Sequence, residues 1–246
     1  MTQTLAAPPS LEQLAAKGPL SLFLDFDGTL VAIAPTHDAI EVPPDMAGGL
    51  EALSQRLDGR VALVSGRSLD NLAGHLGPCA VAQAGSHGID RRLADGSRIG
   101  SEAVALPGDV AAALEEFVGG HAELTLETKP HGAALHYRAA PSLEEQVLAH
   151  ARKVADEAGM VTKRGKFVVE LVRPGADKGG AVDAFMEEAA FSGTKPVFIG
   201  DDVTDEDGFA AANRRGGFAI AVGERPTQNA RYRLATPADV RDWLGL

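Results

Sequence analysis

Short apolar runs recur along the chain and alternate with stretches of helical character. The runs predicted to be strands are "SLFLDF" at 21–26, "RVALV" at 60–64, "CAVAQA" at 79–84, "PVFIG" at 196–200 and "FAIAV" at 218–222. Helices are predicted at 43–57 and 177–190. Because continuous apolar runs fit strands buried on both faces, the alternation predicts an α/β fold with a mostly parallel sheet.

The pattern changes between residues 102 and 172. Helices are predicted there at 107–118 and 142–158, and strands at 122–128, 132–138, near 160 and at 166–172. The short link "KPH" between two of these strands predicts a hairpin, and therefore an antiparallel α+β insert. The predicted organisation is a core formed by 1–101 and 173–246, with an inserted domain at 102–172.

Turn and capping signals support several of these boundaries. Ser10 and Gln13 have the spacing of a capping box, and Thr236 is placed to cap the last helix. Asp95 and Gly96 predict a tight turn just before the insert.

Composition narrows the classes of function. No apolar stretch of the 246 residues approaches the roughly 18 to 20 needed to cross a bilayer, and the first residues lack the pattern of a signal peptide. We therefore expect a cytoplasmic protein without a membrane partner. The net charge of −11, with no basic stripe, argues against binding nucleic acid. One cysteine excludes an internal disulfide, and we expect a monomer.

Four polar clusters each follow directly on an apolar run. They are "DFDGT" at 25–29, "SGRS" at 65–68, "GSHG" at 85–88 and "GDDVTDED" at 200–207. In open parallel sheets ligands bind beyond the carboxyl ends of the strands, so the clusters predict one common site. The alternative for "SGRS" and "GSHG" is a turn followed by a helix cap, with His87 an ordinary loop histidine.

The two aspartate clusters require a compensating charge. Adjacent carboxylates repel each other, which predicts a bound divalent cation. An EF-hand loop does not fit, because aligning Gly28 at its sixth position puts Phe23 and Ala34 where oxygen ligands belong. A carboxylate site of this kind favours Mg²⁺.

Lys178 adds an anion-binding group. It lies at the start of a predicted helix beside two glycines, although a lysine in such a stretch, taken alone, is more often an exposed surface residue. A cation, a lysine and a free carboxylate together suit phosphoryl transfer, in which one aspartate attacks phosphorus and a second carries the proton.

These motifs resemble the haloacid dehalogenase (HAD) superfamily of phosphatases, and more closely its trehalose-phosphatase family. The resemblance is carried by "LDFDGTL", "VSGRS", "GSHG", "LHYR", "GKFVVEL", "DKGGAV" and "GDDVTDEDGF", in that order along almost the whole chain. It implies a Rossmann-like core with a mobile cap inserted in it.

The resemblance also implies roles for individual residues. Asp25 would be the nucleophile and Asp27 the general acid and base. Mg²⁺ would be held by Asp25, the backbone carbonyl of Asp27 and Asp201, with Asp202 and Asp205 nearby. Ser65, Gly66 and Lys178 would bind the phosphoryl group.

In the cap, the resemblance implies that Glu127, Lys129, Lys166 and Glu170 face two glucose units. Alternation along a strand puts the first two on one face, and the last two would share a face in an extended run. The alternative is a solvated face with cross-strand charge pairs. His131, His136 and Arg138 receive no role.

The expected activity is Mg²⁺-dependent hydrolysis of trehalose 6-phosphate through an aspartyl phosphate. The alternatives are another sugar-phosphate phosphatase, acting on sucrose phosphate or mannosylglycerate phosphate, and a catalytically inert phosphosugar-binding module. The inert module would have lost its nucleophile, and the chain instead retains all four catalytic motif residues, Asp25, Asp27, Lys178 and Asp201.

Overall fold

Eleven strands and eight α-helices are present in the computed structural model, which describes residues 5–34, 39–100, 102, 104–165 and 167–246. The strands are β1 (Leu20–Leu24), β2 (Val61–Val64), β3 (Ala82–Gly85), β4 (Asp90–Arg92), β5 (Thr125–Lys129), β6 (Gly132–His136), β7 (Val161–Gly165), β8 (Val168–Val172), β9 (Lys195–Gly200), β10 (Phe218–Val222) and β11 (Tyr232–Leu234). The helices are α1 (Leu11–Ala15), α2 (Met46–Arg56), α3 (Leu69–Leu76), α4 (Gly108–Gly119), α5 (Glu144–Glu157), α6 (Lys178–Glu187), α7 (Glu206–Arg214) and α8 (Pro237–Leu244).

The chain divides into two compact units. Met1–Ser101 and Asp177–Leu246 form the first unit, and Glu102–Ala176 forms the second. Among the described residues, no helix combines the length and apolar character that a membrane crossing requires.

A seven-stranded sheet lies at the centre of the first unit, in the order β11-β10-β9-β1-β2-β3-β4. All neighbouring strands are parallel except β3 and β4. The predicted α/β class with a mostly parallel sheet is therefore confirmed.

Strand β1 shows why its sequence is apolar at successive positions. Leu22 and Leu24 pack into the hydrophobic cluster on one face of the sheet, and Phe23 packs into the cluster on the other face. All three are fully buried. A strand buried on both faces cannot alternate between apolar and polar residues.

The second unit is an antiparallel sheet in the order β5-β6-β8-β7, with α4 and α5 packed on one face. The hairpin predicted at "KPH" is confirmed, because Lys129 of β5 pairs with Gly132 of β6. The strand predicted at 166–172 is wrong at its start. Phe167 has φ +61°, a left-handed conformation, so the extended run begins at Val168.

The predicted helix caps are confirmed at both ends of the chain. Ser10 and Gln13 form a capping box before α1, and Thr236 and Asp239 form another before α8. The turn at Asp95 is also present, where the amide of Leu93 donates to the carbonyl of Ser97.

Candidate active site

Three adjacent strands of the first unit end at the same edge of the sheet. Asp25 directly follows β1, Ser65 follows β2, and Asp201 follows β9. Because these strands are parallel and adjacent, their carboxyl ends bring the three side chains into one region.

Three carboxylates converge at this edge. Asp25, Asp201 and Asp205 each offer an oxygen, and these oxygens all lie within 4.8 Å of one another. The hydroxyl of Thr29 lies between two of them, 3.2 Å from Oδ2 of Asp25 and 3.4 Å from Oδ1 of Asp201.

Lys178 supplies a positive charge at the centre of the cluster. Its Nζ donates to Oδ1 of Asp25 at 2.5 Å and to Oδ1 of Asp205 at 2.6 Å. The side chain is only 4% exposed, so a surface role for this lysine is excluded. It is the first residue of α6, whose N-cap Asp177 accepts from the amide of Gly180.

The cluster carries more negative charge than its lysine compensates. Burial first, and then the charge of Asp205, raise the pKa of Asp25 well above its usual range, while Lys178 opposes this shift. The same two causes raise the pKa of Asp201 to about 6. Burial alone would lower the pKa of Lys178, but Asp205 and Asp25 raise it above its usual value.

The donor set fits a divalent cation. Asp25, Asp201 and Asp205 offer carboxylate oxygens around a single ammonium group, so two negative charges remain for a cation to compensate. Oxygen ligands without nitrogen or sulfur are typical of hard cations. Asp205 is the most deeply buried of the three, and its two oxygens accept hydrogen bonds from Lys178 and from the amide of Asp202.

Glycines allow the carboxylates to approach the backbone. A Cβ on Gly28 would lie 2.2 Å from Oδ2 of Asp201, and a Cβ on Gly200 would lie 2.3 Å from Cγ of Asp205. Gly28 also has φ +80°, which glycine adopts without strain.

The "SGRS" and "GSHG" segments pack against each other beside the cluster. The amide of Ser65 donates to Ala84, and the amide of His87 donates back to the carbonyl of Ser65. A Cβ on Gly66 would lie 2.8 Å from the ring of His87, so a larger residue there would displace the loop. The buried Ser65 and the partly buried Gly66 thus occupy a fixed position after β2.

Asp27 is not part of the carboxylate cluster. Both oxygens of its side chain accept hydrogen bonds from the guanidinium of Arg67, at 2.6 and 2.7 Å. Sequence reasoning did not single out Arg67. Its position two residues after Ser65, in the segment that follows the strand beside β1, is the signal that could have identified it.

The remaining predicted residues lie in the second unit. Lys129 donates to Glu170 at 2.6 Å and lies 4.0 Å from Glu127, so these three share one face of the sheet. His136, which had no assigned role, lies 3.1 Å from Glu127. Lys166 lies outside the described residues.

Comparisons with known proteins agree with one another. The trehalose-phosphatase family model matches residues 23–238. The trehalose-6-phosphate phosphatase of Escherichia coli (strain K12) is 40% identical over 99% of this chain and 90% of its own length.

Two solved structures extend the comparison to the fold. A trehalose-6-phosphate phosphatase related protein has a TM-score of 0.77 and 25% identity, covering 92% of this chain and 95% of that one. A phosphatase of the haloalkanoate (HAD) enzyme superfamily from Bacteroides thetaiotaomicron has a TM-score of 0.61 and 15% identity, covering 93% of each chain, and shows the fold alone. With the family model matching most of its length, the chain belongs to the trehalose-phosphatase family.

Proposed function

We propose that the protein hydrolyses trehalose 6-phosphate to trehalose and phosphate through an aspartyl-phosphate intermediate. The observation that carries the proposal is the buried contact between Asp25 and Lys178, within a carboxylate cluster, in a chain of this family. The trehalose-6-phosphate phosphatase of E. coli, which aligns along nearly the whole chain, supports the choice of sugar.

In the first half of the reaction, a carboxylate oxygen of Asp25 forms a bond to phosphorus. The bond between phosphorus and the sugar oxygen breaks, and protonated Asp27 gives its proton to that oxygen. In the second half, water attacks the phosphorus of the aspartyl phosphate and Asp27 takes a proton from the water. Phosphate leaves, and Asp25 is regenerated as a carboxylate.

Binding of the phosphoryl group is proposed for Ser65, Gly66 and Lys178. Lys178 is buried and already bonded to Asp25, so an anion bound by its ammonium would lie beside the attacking oxygen. The Ser65 side chain and the backbone of Gly66 would supply neutral donors to the remaining oxygens.

The family implies a divalent metal, and we propose Mg²⁺, held by Asp25, Asp201 and the backbone carbonyl of Asp27. When bound, it would offset the negative charge that otherwise separates a carboxylate from a phosphate. Asp205 would position Lys178, to which it is bonded at 2.6 Å.

Residues 102–172 are proposed as a cap that selects the sugar. Glu127, Lys129 and Glu170 share a polar sheet face, which supports a role in hydrogen bonding to sugar hydroxyls. We propose the same role for Lys166 because of its place in the family motif "GKFVVEL". The monomeric state and the cytoplasmic location remain predictions.

A substrate panel tests the proposal. Purified protein is assayed for phosphate release from trehalose 6-phosphate, glucose 6-phosphate and sucrose 6-phosphate, with Mg²⁺ and with a chelator. We expect selective, Mg²⁺-dependent turnover of trehalose 6-phosphate and its loss in Asp25→Asn. Equal turnover of the three esters would refute the substrate, and activity in Asp25→Asn would refute the covalent mechanism.

A further inference from the structure

The side chain of Asp27 lies in a two-point ion pair with Arg67. Nε of Arg67 donates to Oδ2 at 2.6 Å, and Nη2 donates to Oδ1 at 2.7 Å. The planar guanidinium matches both oxygens of a carboxylate. This contact therefore fixes the orientation of the Asp27 side chain and places a positive charge beside it.

Arg67 is the more fixed partner of the two. Its side chain is 2% exposed, compared with 33% for Asp27. Nη1 donates to Oδ1 of Asn71 at 2.6 Å, and the backbone carbonyl accepts from the amide of Ser86 at 2.7 Å. Asp27 precedes Gly28, where the chain bends at positive φ. Movement within the pair is therefore easier for the aspartate than for the arginine.

Arg67 also contacts the proposed phosphate-binding serine. Its backbone amide donates to Oγ of Ser65 at 3.1 Å. One buried residue thus fixes both the proton-carrying side chain at the end of β1 and the hydroxyl at the end of β2.

We propose that Arg67 is a positioning residue that orients the side chain of Asp27 for proton transfer to the leaving sugar oxygen. This inference rests on the proposed role of Asp27. Because the guanidinium contacts both oxygens of Asp27, its removal would take away this fixed orientation at the end of β1. A misplaced Asp27 would deliver its proton less efficiently to the sugar oxygen in the first half of the reaction, which is the half that kcat/KM reports.

The test is a double-mutant cycle with Arg67→Met and Asp27→Asn. For each variant, kcat/KM is measured on trehalose 6-phosphate and on p-nitrophenyl phosphate. The sugar alkoxide needs a proton to leave, whereas p-nitrophenolate leaves without one, so a defect in proton transfer affects the first ester far more.

We expect Arg67→Met to lower kcat/KM for trehalose 6-phosphate by about 10²-fold, with a much smaller change for p-nitrophenyl phosphate. In the Asp27→Asn background, Arg67→Met should add no further loss, because both changes act through one side chain. An equal loss on both esters, or additive losses in the double variant, would overturn the proposal.

Arg60→Met is the matched control. Arg60 immediately precedes β2, at the opposite end of the strand from Arg67, and pairs with Asp58 at 2.9 Å. It should leave the ratio of the two kcat/KM values unchanged. If Arg67→Met does not fold, Arg67→Lys replaces it, since lysine keeps the buried charge and cannot make the two-point contact.

Failure of the positioning role of Arg67 can be distinguished from failure of the proposed phosphatase function. Wild-type protein that releases no phosphate from trehalose 6-phosphate refutes the function, and crystal structures of wild type and Arg67→Met then test the pairing alone. A changed or disordered Asp27 carboxylate in the variant supports the positioning role. An unchanged orientation overturns it.

Discussion

Gly28→Ala tests how closely the backbone after β1 approaches the carboxylate of Asp201. Gly28 has φ +80°, so alanine at this position adopts a left-handed conformation that costs about 1–2 kcal/mol. The added Cβ would also lie 2.2 Å from Oδ2 of Asp201. Restoring an ordinary contact of about 3.5 Å requires that oxygen to move by roughly 1 Å.

Gly59→Ala separates the two effects. Gly59 has φ +83°, but a Cβ there would meet nothing within 4 Å. Both variants should therefore lose about 1–2 kcal/mol of unfolding free energy through backbone strain. Only Gly28→Ala should displace a proposed metal ligand.

The assay combines urea denaturation with kcat for trehalose 6-phosphate in saturating Mg²⁺. A misplacement of about 1 Å at a reacting centre can cost about 10²-fold in rate, so we expect a loss of that order in Gly28→Ala and nearly normal kcat in Gly59→Ala. Equal kcat values in the two variants would refute the placement of Asp201 against Gly28.

Three further predictions concern charge. Lys178→Met should abolish turnover and lower the unfolding free energy by about 3–5 kcal/mol in urea denaturation, because buried carboxylates lose their cation; unchanged stability would contradict the buried pairing. Lys129→Met should raise KM for trehalose 6-phosphate but not for p-nitrophenyl phosphate. The control is Lys153→Met, at an exposed lysine, which should change neither KM. Equal effects of the two variants would exclude Lys129 from sugar binding. Because the pKa of Asp201 is raised to about 6, its carboxyl is ionised at pH 7.5 and holds a proton at pH 5. The metal-free protein should therefore lose stability as pH rises from about 4 to 6, and Mg²⁺ should raise Tm more at pH 7.5 than at pH 5; an equal gain at both pH values would contradict this.

Convergence of the active-site aspartates could be predicted because it follows from topology. Asp25 and Asp201 each end an apolar run, and parallel strands bring their carboxyl ends to one edge of the sheet. The prediction needed only that β1 and β9 share the sheet, and it did not depend on side-chain conformation.

The partner of Asp27 could not be predicted in the same way. Arg67 stands 40 residues further along the chain, and the pairing depends on the direction of two side chains beyond the ends of β1 and β2. The serines and the glycine of "SGRS" are equally typical of a turn followed by a helix cap, so the segment alone did not mark Arg67. The contact between Lys178 and Asp205 could not be predicted either, because it requires the start of α6 to lie beside the turn that precedes α7.

Backbone conformation limited the prediction in the second unit. Phe167 has positive φ, although a bulky aromatic residue gives no sequence signal for that conformation. The strand was therefore expected to start too early. The pairing of Glu127 with His136 depends on strand register, which the hairpin link alone did not specify.

The position of β9 in the sheet has a consequence for how the chain folds during synthesis. β9 lies between β1 and β10 in the sheet. Its pairing with β1 joins residues that are far apart in the sequence, such as Leu20 and Lys195. The second unit, by contrast, uses only contacts among Glu102–Ala176 for its own sheet. We therefore expect the inserted unit to fold first as the chain leaves the ribosome. β1 cannot pair with β9 until β9 has been translated. A nascent chain arrested before β9 would contain a folded insert and an exposed apolar strand, and chaperone binding should be strongest at that stage.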